Sequence, residues 1–371
     1  MKFTVKAGAF AEEVGLLLSV AGKRSTIPIY GCVLVRAGEA GVSLAATDVD
    51  SAMTSNVDAK VGEPGAAALD AKRLDALLRS FPSEADVVFG GQKDGWINVE
   101  SGAAKLRVPY MSPDDFPGMA ERPALKGSEL PASVLVDVIR RTSFAADDSV
   151  NVKGYGGVFI QIKDGKIMAG GTNGNRGAIA TYACATDPVE FVTYRATLEM
   201  VSKALRDTPE ATVQILRDVD RIWFTCAGRG VMVRALEQPI PPLHLMVGKY
   251  VQVASESFGV DRAALLSAIR RAELMAKAKA DKDGAIPIEL RLTGGSLTVA
   301  ADSPDGQGEE SIEVPYTGKA TSDTFAASML RDFLSVATSQ RITLRLGNKP
   351  KTGAAIFNDG DDHTYLAMPR V

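Results

Sequence analysis

The sequence predicts an α+β protein built from three tandem copies of one domain, each with two helices packed on antiparallel sheets. Three observations carry this. The order helix, strands, second helix, strands recurs three times along 371 residues. Proline-rich joints separate the recurrences: Pro117, Pro123 and Pro131 at the first, Pro239, Pro241 and Pro242 at the second. Proline-stiffened connectors of this kind mark domain boundaries. The segments between helices alternate in polarity and meet at tight-turn dipeptides. Domains are expected at 1–122, 128–250 and 254–371, and a period of about 125 residues is far too long for a solenoid of small repeats.

The first helix recurs as Phe10–Gly22, Pro131–Phe144 and Val260–Ala276. Its apolar stripe is Phe10, Val14, Leu17 and Leu18, then Val134, Leu135, Val138 and Ile139, then Leu265, Leu266 and Ile269, which is one buried face per helix. Strands follow, among them Val42–Thr47, Gly157–Lys163 with Lys166–Gly171, and Ile286–Thr293 with Ser296–Ala301. Asp164-Gly165 and Gly294-Gly295 read as hairpin tips. The second helix recurs as Asp70–Phe81, Tyr194–Arg206 and Phe325–Ala337, with stripes such as Leu74, Leu77 and Leu78. A pair of strands closes each copy: Val87–Glu100 with Ala104–Tyr110, Thr212–Thr225 with Gly230–Leu236, and Ile342–Leu346 onward to Tyr365–Met368.

Hydrophobic residues make up 46% of the chain and charged residues 23%, enough to build real cores. No apolar run approaches the length of a bilayer crossing, and the opening Met1-Lys2-Phe3-Thr4-Val5 reads as a strand rather than a signal peptide. Cys32, Cys184 and Cys226, widely spaced and odd in number, read as buried reduced thiols, so a cytoplasmic protein is expected. The net charge is −3, yet six helical windows total +7 and the rest of the chain −10. A basic helical surface on an acidic protein holds a polyanion locally and repels it elsewhere. No zinc spacing, helix-turn-helix or RNA-recognition signature is present, so any nucleic-acid contact is expected to be sequence-independent.

Catalytic chemistry finds no support. His244 and His363 are the only histidines, and neither accompanies a nucleophile motif. Gly170-Gly171-Thr172-Asn173-Gly174 lacks the Lys-Ser/Thr ending of a phosphate loop and leads into a strand at Ala178–Tyr182. Asn358-Asp359-Gly360-Asp361-Asp362-His363 misses calcium-loop spacing and reads as an acidic turn. No catalytic residue, metal or cofactor is expected.

Local motifs then point to one family. The opening five residues, Arg24-Ser25-Thr26-Ile27-Pro28-Ile29, Thr47-Asp48-Val49-Asp50, Asp115-Phe116-Pro117, Thr172-Asn173-Gly174-Asn175-Arg176 and the tail Met368-Pro369-Arg370-Val371 fall in order along the chain. Together they resemble the beta subunits of bacterial DNA polymerase III, the sliding clamps, over the whole length. The resemblance implies three DNA-clamp domains that close, as a head-to-tail homodimer, into a six-domain ring around duplex DNA. It implies DNA-facing cations at Arg24, Lys72, Arg73, Arg79, Arg140, Arg141, Lys203, Arg270 and Arg271. It implies a dimer interface of Leu106 and Val108 against Leu274 and Met275. It implies a pocket for short peptide motifs lined by Tyr155, Thr172, Gly174, Asn175, Arg176, Gly177, Pro241, Pro242, Met246, Val247, Leu366, Met368 and Pro369. Implied partners are the polymerase III alpha subunit, the clamp loader, and other polymerases and repair proteins, with no membrane.

The chain also departs from the family pattern. Asn175 stands where histidine is usual, Gly177 where a bulky aliphatic is usual, and Tyr155 replaces a leucine. Ala326 and Met329 occupy positions commonly polar or aromatic, and the tail is one residue shorter. These departures bear on partner preference, and leave open a divergent accessory clamp serving repair or plasmid-type replication. A three-domain adaptor without a DNA role is the other alternative.

Overall fold

The computed structural model describes residues 1–22, 26–48, 50–147, 156–252, 254, 256–277, 284–304, 306–347 and 353–370. Arg24 and Tyr155 lie outside the described residues. Seven α-helices occur among them: α1 Ala7–Ala21, α2 Ala71–Arg79, α3 Ala132–Thr142, α4 Arg195–Leu205, α5 Leu243–Val251, α6 Arg262–Met275 and α7 Ala327–Val336. Packing divides the chain into two compact units, residues 1–133 with 200–235 and residues 134–199 with 236–371. The chain passes between them within α3, within α4 and again after Ala235, and the strands of the middle repeat are divided between the two units.

In the first unit a five-stranded sheet runs Lys60–Glu63, Lys2–Lys6, Asp86–Lys93, Trp96–Ser101, Ala104–Pro109. An eight-stranded sheet runs Ser128–Pro131, Thr212–Asp218, Arg221–Cys226, Arg229–Arg234, Ser51–Val57, Gly41–Thr47, Cys32–Gly38, Gly65–Asp70. Its central join pairs Val231 with Met53 and Met232 with Ala52, strands far apart in sequence. Phe3 stacks on Phe89 at 4.9 Å, and Phe10 of α1 meets Phe89 edge-on at 5.5 Å. Rings in this arrangement contribute beyond their area burial.

In the second unit an eight-stranded sheet runs Val189–Thr193, Val158–Lys163, Lys166–Thr172, Arg176–Ala183, His363–Ala367, Ala355–Asn358, Arg341–Arg345, Phe258–Asp261. A four-stranded sheet runs Gly306–Glu313, Ser296–Ser303, Pro287–Thr293, Thr321–Ala326. One core joins Leu265, Leu266 and Ile269 of α6 to Leu330, Phe333 and Leu334 of α7, and Phe333 stacks on Tyr365 at 5.0 Å.

The same local bonds recur at the three first helices. Ala7 N–H donates to Ala85 O, Ala132 N–H to Ala211 O, and Arg262 N–H to Gln340 O. These bonds satisfy N-terminal amides that a helix cannot satisfy itself. Before each, a short strand pairs with the strand that follows the second helix: Lys2–Lys6 with Asp86–Lys93, Ser128–Pro131 with Thr212–Asp218, Phe258–Asp261 with Arg341–Arg345. Asp70 and Asp261 add side-chain caps to α2 and α6, accepting from Arg73 N at 2.7 Å and Ala264 N at 2.8 Å.

The structure differs from the sequence expectation in three respects. The expected final strand pairs are three strands each, because Val87–Glu100 turns at Asp94-Gly95 and Thr212–Thr225 turns at Val219. Val219 has φ +50, a conformation its side chain does not advertise. The proline joint after residue 239 continues into a helix, α5, whose Leu245 and Met246 amides donate to Pro242 O. Proline is tolerated there because Pro242 stands at the N-cap, ahead of the helical amides. Of the three free thiols, Cys32 and Cys226 are buried but Cys184 is half-buried.

Candidate functional site

Several of the residues expected to form a pocket, among them Thr172, Gly177 and Leu366, share one face of the second unit's eight-stranded sheet. Thr172 pairs with Gly177, Gly177 with Leu366, and Leu366 with Ile356, so the four form one cross-strand row with their side positions on the same face. The hairpin above the row is tied internally. Thr172 Oγ1 donates to Arg176 O at 2.6 Å and accepts from Gly174 N, while Asn173 Oδ1 accepts from the amides of Asn175 and Arg176 at 3.0 Å. Gly174 takes φ +83, which glycine adopts without strain. Met368 N–H donates to Asn175 O, so the chain's tail extends the ladder alongside the hairpin, and Arg370 N–H donates to Thr324 O.

Helix α5 supplies the other wall. Leu243 is buried with Phe159, Ile179 and Val192, and Met246, Val247 and Ile240 pack partly buried against that cluster. Pro241 is buried, whereas Pro242 is exposed and Met368 and Pro369 are half-buried. Leu243 is the wall residue that sequence reasoning missed. A helix opened by Pro242 puts 243, 246 and 247 on one face, so recognising that start would have found it. Arg176 points away from the row, its guanidinium paired with Asp332 at 2.8 Å and lying over the Phe144 ring. Ala326 is buried at the start of α7, and Met329 O accepts from Tyr365 Oη.

The expected cations fall into two groups. Lys72 and Arg73 on α2 and Arg270 on α6 are exposed, with no ion pair among the described residues. Lys203 is exposed and donates to Gly15 O at 3.2 Å. Arg79 is held by Asp75 at 2.9 Å and Arg271 by Glu310 at 2.6 Å, and each carboxylate raises its arginine's pKa through the shared hydrogen bond. Arg140 is half-exposed and bound to Asp137 and to Val336 O. Arg141 departs from the expectation: it is buried, bridges Asp137 at 2.9 Å and Asp362 at 3.3 Å, and covers the Tyr182 ring. Burial works to raise the Asp137 pKa, but hydrogen bonds from Tyr182 and Arg140 and the two arginine charges outweigh it and hold the carboxyl low.

The acidic turn at 358–363 is structural. Asp359 is buried and accepts from the Thr338 and Ser339 amides at 2.8 Å, closing the loop that follows α7. Burial alone would raise its pKa; the hydrogen bonds from His363, Ser339 and the loop backbone prevail and hold it well below the carboxylate range.

Two strand edges carry exposed apolar residues. In the first unit, Ala104–Pro109 is an outer strand with Leu106 40% exposed, Val108 half-buried, and Lys105 and Arg107 exposed. In the second unit, Gly306–Glu313 is an outer strand bearing Glu309, Glu310 and Glu313, beside the α6 end where Leu274 is 68% and Met275 38% exposed. A cavity of about 290 Å³ lies there, lined by Ala272, Leu274, Met275 and Val299 among others. No described helix is long and apolar enough to cross a membrane.

Comparison with known proteins adds four findings. Residues 1–120 match the family described as DNA polymerase III beta subunit, N-terminal domain. The beta sliding clamp of Pseudomonas putida is 26% identical, the match covering all of this chain and 99% of the relative. Among solved structures, the sliding clamp of Bacillus subtilis superposes with a TM-score of 0.88 at 20% identity, covering 100% of this chain and 99% of that one. The Pseudomonas aeruginosa clamp bound to griselimycin gives 0.87 at 23% identity, covering 100% and 99%.

Proposed function

We propose that this chain, 26% identical to a beta sliding clamp over its whole length and matching the DNA polymerase III beta subunit N-terminal family over residues 1–120, is a processivity clamp, a non-catalytic ring that encircles duplex DNA and tethers polymerase to it. In this reading the domains are 1–122, 128–250 and 254–371, and two copies close head to tail into six. The working location is the cytoplasm.

The observation that carries the reading is the complementarity of the two bare edges. In a strand, successive side chains point to opposite faces. On Ala104–Pro109, Leu106 and Val108 therefore share one face and Lys105 and Arg107 the other. On Gly306–Glu313, Glu309 and Glu313 share one face, and Glu310 and Ile312 the other, over the α6 side. An antiparallel join between copies sets lysine and arginine opposite glutamates on one face. On the other it sets Leu106 and Val108 near Leu274, Met275 and Ile312. Such a heterologous contact closes into a ring when the rotation permits.

Lys72, Arg73, Lys203 and Arg270, exposed and with no carboxylate partner among the described residues, support loose contact with phosphates. Arg24 belongs to this proposed set on resemblance, Arg79, Arg140 and Arg271 contribute from behind their partner carboxylates, and Arg141 is a structural brace. The row Thr172, Gly177, Leu366 with Met246, Val247, Met368 and Pro369 supports a site for extended peptides. Its proposed occupants are the polymerase III alpha subunit, the clamp loader and repair proteins.

Small-angle X-ray scattering tests the assembly. The expected particle has twice the 39.2 kDa chain mass and a distance distribution pushed to large separations by a central hole. A compact particle of that mass would overturn ring closure. The peptide site is tested by fluorescence polarisation with the C-terminal peptide of the alpha subunit, whose binding should weaken markedly in Met368→Ala; equal affinity removes the site.

A further inference from the structure

We propose that Leu243 sets the size of the apolar anchor that the peptide site accepts; this deepens, and rests on, the peptide-site reading above. Gly177 sits in the cross-strand row between Thr172 and Leu366, and its missing side chain leaves a notch there. That notch is filled by the chain's own leucine. A Cβ placed on Gly177 would lie 3.3 Å from Leu243 Cδ2 and 3.8 Å from Thr172 Oγ1. Gly177 does not take a positive φ, so the backbone does not demand glycine here. The close approach of Leu243 favours it, since a methyl group at 3.3 Å requires the leucine to give by a few tenths of an ångström.

Leu243 is 4% exposed and shares its cluster with Phe159 and Ile179, so it is a seated side chain rather than a loose one. A peptide side chain arriving over the row meets a site already occupied. A large anchor must expel a buried leucine and forfeit its burial, whereas a small one lies against the partly buried Met246, Val247 and Met368 without that cost. Gly177 and Leu243 therefore act as a pair. The strand yields volume, the helix takes it, and what is left over decides which partner side chain fits.

A random heptapeptide library displayed on phage, panned against the full-length wild type, Leu243→Ala and Met368→Ala, tests this. The anchor is the peptide position whose alanine substitution costs most binding. Wild type should enrich valine or proline at the anchor, and Leu243→Ala should enrich leucine, methionine or phenylalanine at that same position. A synthetic leucine-anchored peptide should bind Leu243→Ala about tenfold or more tighter than wild type, the scale of burying one such side chain. Identical anchors from both proteins, or unchanged affinity, overturn the inference while the peptide site stands. Peptides retained equally by Met368→Ala, or no enrichment from any protein, overturn the peptide site and the inference together. Should Leu243→Ala fail to fold, Leu243→Val replaces it. An intermediate shift in anchor size then supports the proposal, and none refutes it.

Discussion

Arg141 and Lys72 are both helix-borne cations, yet their surroundings assign them opposite work. Arg141 lies at 8% exposure between the partly exposed Asp137 and Asp362, so Arg141→Ala removes a buried guanidinium while Arg140 and Tyr182 still hold Asp137, and it should cost about 1–2 kcal/mol in urea unfolding. Lys72 is exposed and without an ion pair among the described residues, so Lys72→Ala should stay within about 0.5 kcal/mol and register only in DNA binding. Asp359 gives a pH signature. Its folded pKa is depressed, so its contribution is fully present above the unfolded value of about 3.9 and is lost as pH falls below it. Asp359→Asn should therefore be less stable than wild type near neutrality, with the gap narrowing on acidification below about pH 4. A constant gap across that range in thermal unfolding would contradict this account.

Elements with a strong period were legible in the sequence, and those without one were not. The six repeated helices declared themselves because an apolar stripe at helical spacing has few other uses, and Asp164-Gly165 declared its hairpin because both residues take positive φ. Helix α5 stayed hidden because LHLMVGKYV is apolar on nearly every side and follows prolines that read as a linker. The turn at Val219 stayed hidden because a β-branched residue at positive φ contradicts local preference. The candidate site was legible at Thr172, Gly177 and Leu366, and incomplete at Leu243, for the same reason that α5 was missed. The two outer strands carry the prediction proper to this scale. Lys105→Glu with Arg107→Glu should leave a folded monomer by light scattering, and adding Glu309→Lys with Glu313→Lys should restore the dimer. Failure of the restoring pair would remove the proposed alignment of the edges.

At the scale of the whole molecule, the charge separation sets how the proposed ring would hold DNA. Binding to linear duplex should be weak, indifferent to sequence and fading with salt, because phosphates are its only expected targets. Replacing Lys72, Arg73 and Arg270 by alanine should flatten the salt slope by roughly 0.9 for each phosphate no longer neutralised. An unchanged slope would put these helices elsewhere than against the duplex. The first unit's eight-stranded sheet has a further consequence, one of timing on the ribosome. Strand Ser51–Val57 completes its pairing only with Arg229–Arg234, a stretch the chain has yet to make when the first repeat emerges. At about 5–20 residues per second, that strand waits roughly 9–35 s with one side unpaired. During that interval the nascent chain presents a bare ladder of amides and carbonyls, so early synthesis, and not the finished fold, is when this protein most needs a chaperone.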